Sequence, residues 1–401
     1  MRRTRGLVSL WLLCCMGYAT ACGSDEGGGA ATGGGAGGGG GTASGGTAGA
    51  GGTTGGAAGD AGVVPAGKRV LALEVNPPNP ADHADKLDVA MQLGVKGIPP
   101  TLSWAFLEPT PNQPETGWIS ALNAVYAPRN VDVLLTIPTI DTVSLLVPSD
   151  LVPALELGTA GGGLAWDDAY VKARFENLLN AVLGAVDPKL RLPYLLVGNE
   201  VNVYLASKPA AVWQAYRGFI EAAKAVIQKK LPGTQVGINV SYNGPPGFET
   251  QIASLITNMD ACFVSYYQNG NDFGGMQKND LPVDIDGILK LCGQKPVVLK
   301  EFGYPTGVAK NSPAGQVDFT TLLFKTWDQH ADRIPFVVIS RMYDGKLEEC
   351  QTQAVSYGVK PTDPAYGEFV QFLCTLGYRG YDDQPKPAWT RLGEEAKARG
   401  F

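Results

Sequence analysis

Eight short apolar runs recur through the chain, at residues 69–74, 95–98 running toward Leu102, 131–137, 194–198, 235–240, 261–265, 296–299 and 335–340. Each is four to seven residues long and bounded by Gly, Pro or polar residues, which is how strands buried on both faces of a parallel sheet read. Between them lie segments whose apolar residues return at helical spacing. Residues 84–93 carry Leu87, Val89, Ala90 and Leu93, and residues 167–186 carry Phe175, Leu178, Leu179, Val182 and Leu183. Residues 210–230 repeat the pattern with Trp213, Tyr216, Ile220, Ala223 and Ile227, residues 316–330 precede the eighth run, and residues 387–399 predict a closing helix. Eight strand-helix units in this length predict an α/β fold, the (β/α)8 or TIM barrel. An open doubly wound sheet is the competing architecture. It calls for a Gly-rich phosphate loop after the first strand, where this chain has Glu74-Val-Asn-Pro-Pro-Asn-Pro80.

The N-terminal part does not belong to this pattern. Met1-Arg-Arg-Thr-Arg5 is a basic lead, residues 7–16 are apolar but too few to span a bilayer, and Ala19-Thr-Ala21 supplies small residues before a cleavage point. Residues 1–21 are therefore expected to be an export signal. Ala19-Thr-Ala-Cys22 resembles the lipobox of bacterial lipoproteins, which implies acylation of Cys22; Ala19 stands where Leu is usual, and an ordinary export signal is the alternative. Residues 23–62 are almost entirely Gly, Ala, Thr and Ser, with no apolar side chain larger than Ala. Such a stretch cannot bury enough surface to offset its ordering entropy, and as a flexible tether it has a root-mean-square reach of roughly 35 Å. The expected organisation is a signal at 1–21, a lipidated Cys22 with its linker over 22–66, and a barrel domain over 67–401. The expected address is the bacterial cell envelope, at the outer membrane or cell surface, with the lipid as the sole membrane contact.

The net charge of −6 becomes −9 once Arg2, Arg3 and Arg5 leave with the signal (−6 − 3). With no basic run, nucleic acid is excluded as a partner class. Only His83 and His330 are available, so a His-rich metal site is excluded, and no cofactor motif is present. Four cysteines remain in the folded part, Cys262, Cys292, Cys350 and Cys374. Pairing Cys262 with Cys292 and Cys350 with Cys374 closes the shortest loops, although other connectivities and four buried thiols remain open. A monomer is expected.

Two runs end on a carboxylate: Leu192-Pro-Tyr-Leu-Leu-Val-Gly-Asn-Glu200 and Pro296-Val-Val-Leu-Lys-Glu301. Strands buried on both faces have little reason to end on a charge, so Glu200 and Glu301 are candidate working residues. In the barrel they close the fourth and seventh strands, whose carboxyl ends build the mouth. Two carboxyl groups about 5 Å apart there fit retaining glycoside hydrolysis, which needs one protonated acid and one carboxylate and no metal.

Asn199-Glu200 at strand four and Lys-Glu301-Phe-Gly-Tyr-Pro at strand seven resemble the marks of the clan A glycoside hydrolases, retaining (β/α)8 enzymes acting on β-linked sugars. The resemblance covers residues 67–401. It implies Glu200 as acid/base, Glu301 as nucleophile, Asn199 as donor to the sugar 2-hydroxyl, and Tyr266 or Tyr267, with Tyr266 the first choice, as partner of the nucleophile. Two features depart from the clan. Ser340-Arg-Met-Tyr343 stands where strand eight often ends in Trp, leaving Tyr343 as the sole ring, and residues 70–109 contain no Arg to sit beside the nucleophile.

Other residues carry weaker expectations. Glu74, ending strand one, is expected to reach the cleft and bind a sugar hydroxyl, while Glu108, Asp141, Asp272 and Asp344 read mostly as loop caps or rim charges. Trp104 is a candidate sugar platform and Trp166 a weaker one; both also suit packing roles. Lys300 is expected on the strand face opposite Glu301, since neighbours in a strand alternate. A non-catalytic carbohydrate-binding protein on a degenerate hydrolase barrel is the alternative function.

Overall fold

The structure, a computed structural model, describes residues 63–267 and 280–401. The expected signal, Cys22 and nearly all of the tether lie outside the described residues, as does Asp272. The barrel strands are numbered β1 (Val70–Leu73), β2 (Gly97–Ile98), β3 (Asp132–Thr136), β4 (Arg191–Leu196), β5 in two pieces (Gln235–Gly237 and Asn239–Ser241), β6 (Cys262–Tyr267), β7 (Val297–Gly303) and β8 (Phe336–Ile339). They pair in parallel in the order β5, β4, β3, β2, β1, β8, β7, β6, β5. The first piece of β5 opens the series and the second closes it, so the sheet is a ring interrupted only at Ile238. All eight predicted runs are strands of this ring, and the open doubly wound sheet is ruled out.

Alternation explains why the runs are apolar throughout. In β8, Phe336 and Val338 point to the barrel interior, where they meet Ala72, Leu134, Tyr194, Leu196, Phe263 and Val298. Val337 and Ile339 point outward into the larger core under the helices. Both sets are fully buried, and each such side chain contributes roughly 1.5–3 kcal/mol. The predicted helices are present, including Ala210–Lys230 and Pro387–Arg399 at the predicted limits.

The chain enters the domain at the barrel face opposite the mouth. The Arg69 guanidinium donates to the Val64 and Pro65 carbonyls and pairs with Asp328 at 2.9 Å, while Arg399 holds the same carboxylate at 2.7 Å. The Ala66 amide donates to the Arg399 carbonyl. First and last segments of the domain are thereby tied to the helix before β8.

The loop after β8 is long and holds two helices, Leu347–Ser356 and Tyr366–Cys374, that stand beside the mouth over a small core of their own. Cys350 and Cys374 are bonded within this insertion, and Cys262 is bonded to Cys292, the pairing with the shortest loops.

Candidate active site

The carboxyl ends of the strands and the β8 insertion enclose a cavity of about 790 Å³. Its floor is polar: Glu74 after β1, Asp141 and Thr142 from the hairpin after β3, Asn199 and Glu200 after β4, Tyr267 from β6, Lys300 and Glu301 from β7, and Arg341 after β8. Glu200 and Glu301 thus face one space from opposite sides of the ring.

Local backbone chemistry positions Glu200. Gly198 ends the strand because nothing larger fits: a Cβ there would lie 2.5 Å from the Tyr216 hydroxyl and 2.5 Å from Val201 Cγ1. The Asn199 amide then bonds the Ile140 carbonyl, and its own carbonyl accepts from Thr142 N. Glu200 follows in the left-handed region (φ 46°, ψ 38°) before the short helix Val201–Leu205, a conformation that costs a non-glycine residue about 1–3 kcal/mol. That bend turns its carboxyl into the cavity, where Oε2 accepts the Thr142 hydroxyl at 2.9 Å.

A different device positions Glu301. The register of β7 against β6 shifts between Leu299 and Glu301, so β7 carries an irregularity at Lys300. A bulge suspends alternation, and successive side chains reach the same side. The expected separation of Lys300 from Glu301 is therefore corrected: Lys300 Nζ forms an ion pair with Glu301 Oε1. The same Nζ donates to Asn199 Oδ1 at 2.9 Å, and Tyr267 donates its hydroxyl to Glu301 Oε2 at 3.1 Å. Asn199 Oδ1 also accepts from Asn239 Nδ2 at 2.7 Å, and Asn199 Nδ2 donates to Asp141 at 2.9 Å, which fixes the amide's orientation.

These surroundings drive the two glutamates apart. Burial, then the negative charge of Glu301, pushes the Glu200 carboxyl up to about 8. Burial acts upward on Glu301 as well, but the Lys300 charge and hydrogen bond, with Tyr267 and Asn199, hold it below the ordinary value. Burial raises Glu74 and Asp141. Burial and the charges of Glu301, Glu74 and Glu200 keep the Tyr267 hydroxyl protonated, hence a donor. Near neutral pH the site holds a protonated Glu200 and an ionised Glu301.

Asn199, Glu74 and Tyr267 line the cavity with the two glutamates. Four other candidate residues do not. Tyr266 points to the outer side of the sheet and donates to Asp284, so the partner of Glu301 is Tyr267. Trp104 is fully buried against Phe175 and Phe219, with its indole N–H on Glu108. Tyr343 is fully buried and spends its hydroxyl on Asp383. Trp166 packs on Tyr216 and Phe219. Asp141, expected as a rim charge, instead holds Asn199. Thr142, Asn239 and Arg341 had no sequence signal, because each belongs to a loop end or broken strand whose facing is set only by closure of the ring.

The class that this architecture defines is the (β/α)8 barrel with a polar mouth built from strand ends. No protein-family model matches the chain, and no curated protein matches it. Solved structures do. The chain is similar to the GH5_18 protein of Streptomyces cattleya, solved in complex with GlcNAc, at 15% identity and a TM-score of 0.62, covering 83% of this chain and 80% of that one. It is also similar to the exo-β-1,4-mannosidase Op5Man5 of the Opitutaceae bacterium strain TAV5, at 14% identity and a TM-score of 0.61 over 82% of this chain and 59% of that one. A psychrophilic family 10 endo-β-1,4-xylanase matches at 14% identity and a TM-score of 0.56, over 82% and 97%. At these identities the likeness concerns the fold.

Proposed function

We propose that this chain is a retaining glycoside hydrolase cleaving β-linked sugars. Glu301 attacks the anomeric carbon while Glu200 gives its proton to the departing oxygen; Glu200, now a carboxylate, takes a proton from water as that water displaces the sugar from Glu301. Asn199 meets the 2-hydroxyl and Glu74 a further hydroxyl. The observation that carries the reading is the placement of two glutamates on one cavity, each held by its own partners: Thr142 for Glu200, Lys300 and Tyr267 for Glu301. Among the similar solved structures are an exo-β-1,4-mannosidase and complexes with Manβ1-4GlcNAc, which supports testing β-mannosides first, followed by β-glucans, galactans and xylans.

The test is turnover of that panel by the wild type and by Glu301→Ala, with 2-fluoro glycosides as traps. A covalent sugar on Glu301 and loss of roughly 10³-fold or more in the variant are expected. Undiminished turnover in Glu301→Ala removes the reading. Glycan binding with neither turnover nor adduct selects the non-catalytic binding protein instead, which the withdrawal of Tyr343 from the cavity favours.

The same reading extends to the N-terminus: export, acylation of Cys22, and a tether that holds a monomeric domain off the cell envelope. Incorporation of a labelled fatty acid into the wild type but not into Cys22→Ser is the expected result.

A further inference from the structure

Lys300 is almost sealed from solvent, with 7% of its side chain exposed against 20% for Glu301. Its ammonium contacts two groups of the site at once, Glu301 Oε1 and Asn199 Oδ1, and it reaches both because the register of β7 shifts at that point. We propose that Lys300 is the positioning residue of this site: from inside β7 it fixes Glu301 and Asn199 relative to one another and supplies the positive charge against the Glu301 carboxylate.

The charged and titratable groups that act on Glu301 are Glu74 after β1, Asp141 after β3, Glu200 after β4, Tyr267 from β6 and Lys300 itself, while Arg341 after β8 lines the same cavity and acts on Glu74. Burial of so many carboxyl groups opposes ionisation of Glu301. Lys300 is the cation in direct contact with it, and even burial leaves the ammonium charged, because Glu301, then Asp141 and Glu74, hold its proton. A Met at 300 keeps the length and removes the charge. An Arg restores the charge with a different reach.

The proposal rests on the hydrolase reading, and the experiment separates the two. Rates of Lys300→Met and Lys300→Arg are measured against pH on an activated aryl β-glycoside, with circular dichroism melts to confirm folding. In Lys300→Met the acidic limb of kcat/KM is expected to move up by about one pH unit or more and kcat/KM to fall roughly 100-fold, whereas Lys300→Arg keeps the limb near its wild-type position. Should Lys300→Met not fold, Lys300→Gln carries the same comparison. A folded uncharged variant whose limb and kcat/KM match the wild type overturns the proposal and leaves the hydrolase reading intact. If the wild type turns over nothing, the hydrolase reading fails, and titration of ¹³C-labelled glutamate carboxyls, with Glu301 assigned by its loss in Glu301→Gln, decides the role of Lys300. A Glu301 resonance titrating at higher pH in the uncharged variant supports it; an unmoved one overturns it.

Discussion

Thr142 donates its hydroxyl to Glu200 across 2.9 Å, from a hairpin that follows β3 to the residue that follows β4. Two residues without strand geometry of their own, both at positive φ, meet there. The bond stabilises the ionised form of Glu200 and so works against the burial that raises it. In Thr142→Val the basic limb of the pH profile is expected to move above about 8, and the rate to fall roughly tenfold as the carboxyl loses its anchor. A pH series of kcat/KM checks both.

Glu200 also makes stability depend on pH. Its folded value near 8 lies above the ordinary 4.5, so between those values the folded protein retains a proton that the unfolded chain has released. Stability from this group is therefore complete below about 4.5 and declines as pH rises toward 8. Glu200→Gln removes that dependence. Its melting temperature is expected to match the wild type near pH 4 and to exceed it at pH 8, by an amount equivalent to about 1 kcal/mol or more. Melts across that range test the sign directly.

The disulfide between Cys350 and Cys374 closes a 24-residue separation within the insertion beside the cavity. Loops of this size are worth about 3 kcal/mol. Cys350→Ala/Cys374→Ala is expected to loosen the two helices that wall the cavity, Leu347–Ser356 and Tyr366–Cys374, and to weaken substrate binding more than it changes kcat. Hydrogen exchange over residues 347–374 together with KM and kcat provides the check.

The barrel was legible because its strands are apolar on both faces, a pattern that survives without knowledge of neighbours. Glu200 and Glu301 stood out as charges ending such runs. Alternation failed where the strands are irregular. At β7 the register shift turned Lys300 toward Glu301, and at the end of β6 the choice between Tyr266 and Tyr267 depended on a phase that two adjacent tyrosines do not reveal. Trp104 was misleading for another reason: its ring suits a sugar platform, but Glu108, four residues on, satisfies its indole N–H inside the core. Thr142 and Asn239 are ordinary polar residues in sequence, and only closure of the ring brings them to Glu200 and Asn199.

The clamp formed by Arg69, Asp328 and Arg399 has a mechanical consequence. Arg69 and Arg399 share one carboxylate, so the start of the first strand and the final helix are both fastened to the helix before β8, at the end of the barrel opposite the mouth. A pull on the chain at Val63 would therefore meet this clamp before it met any residue that lines the cavity.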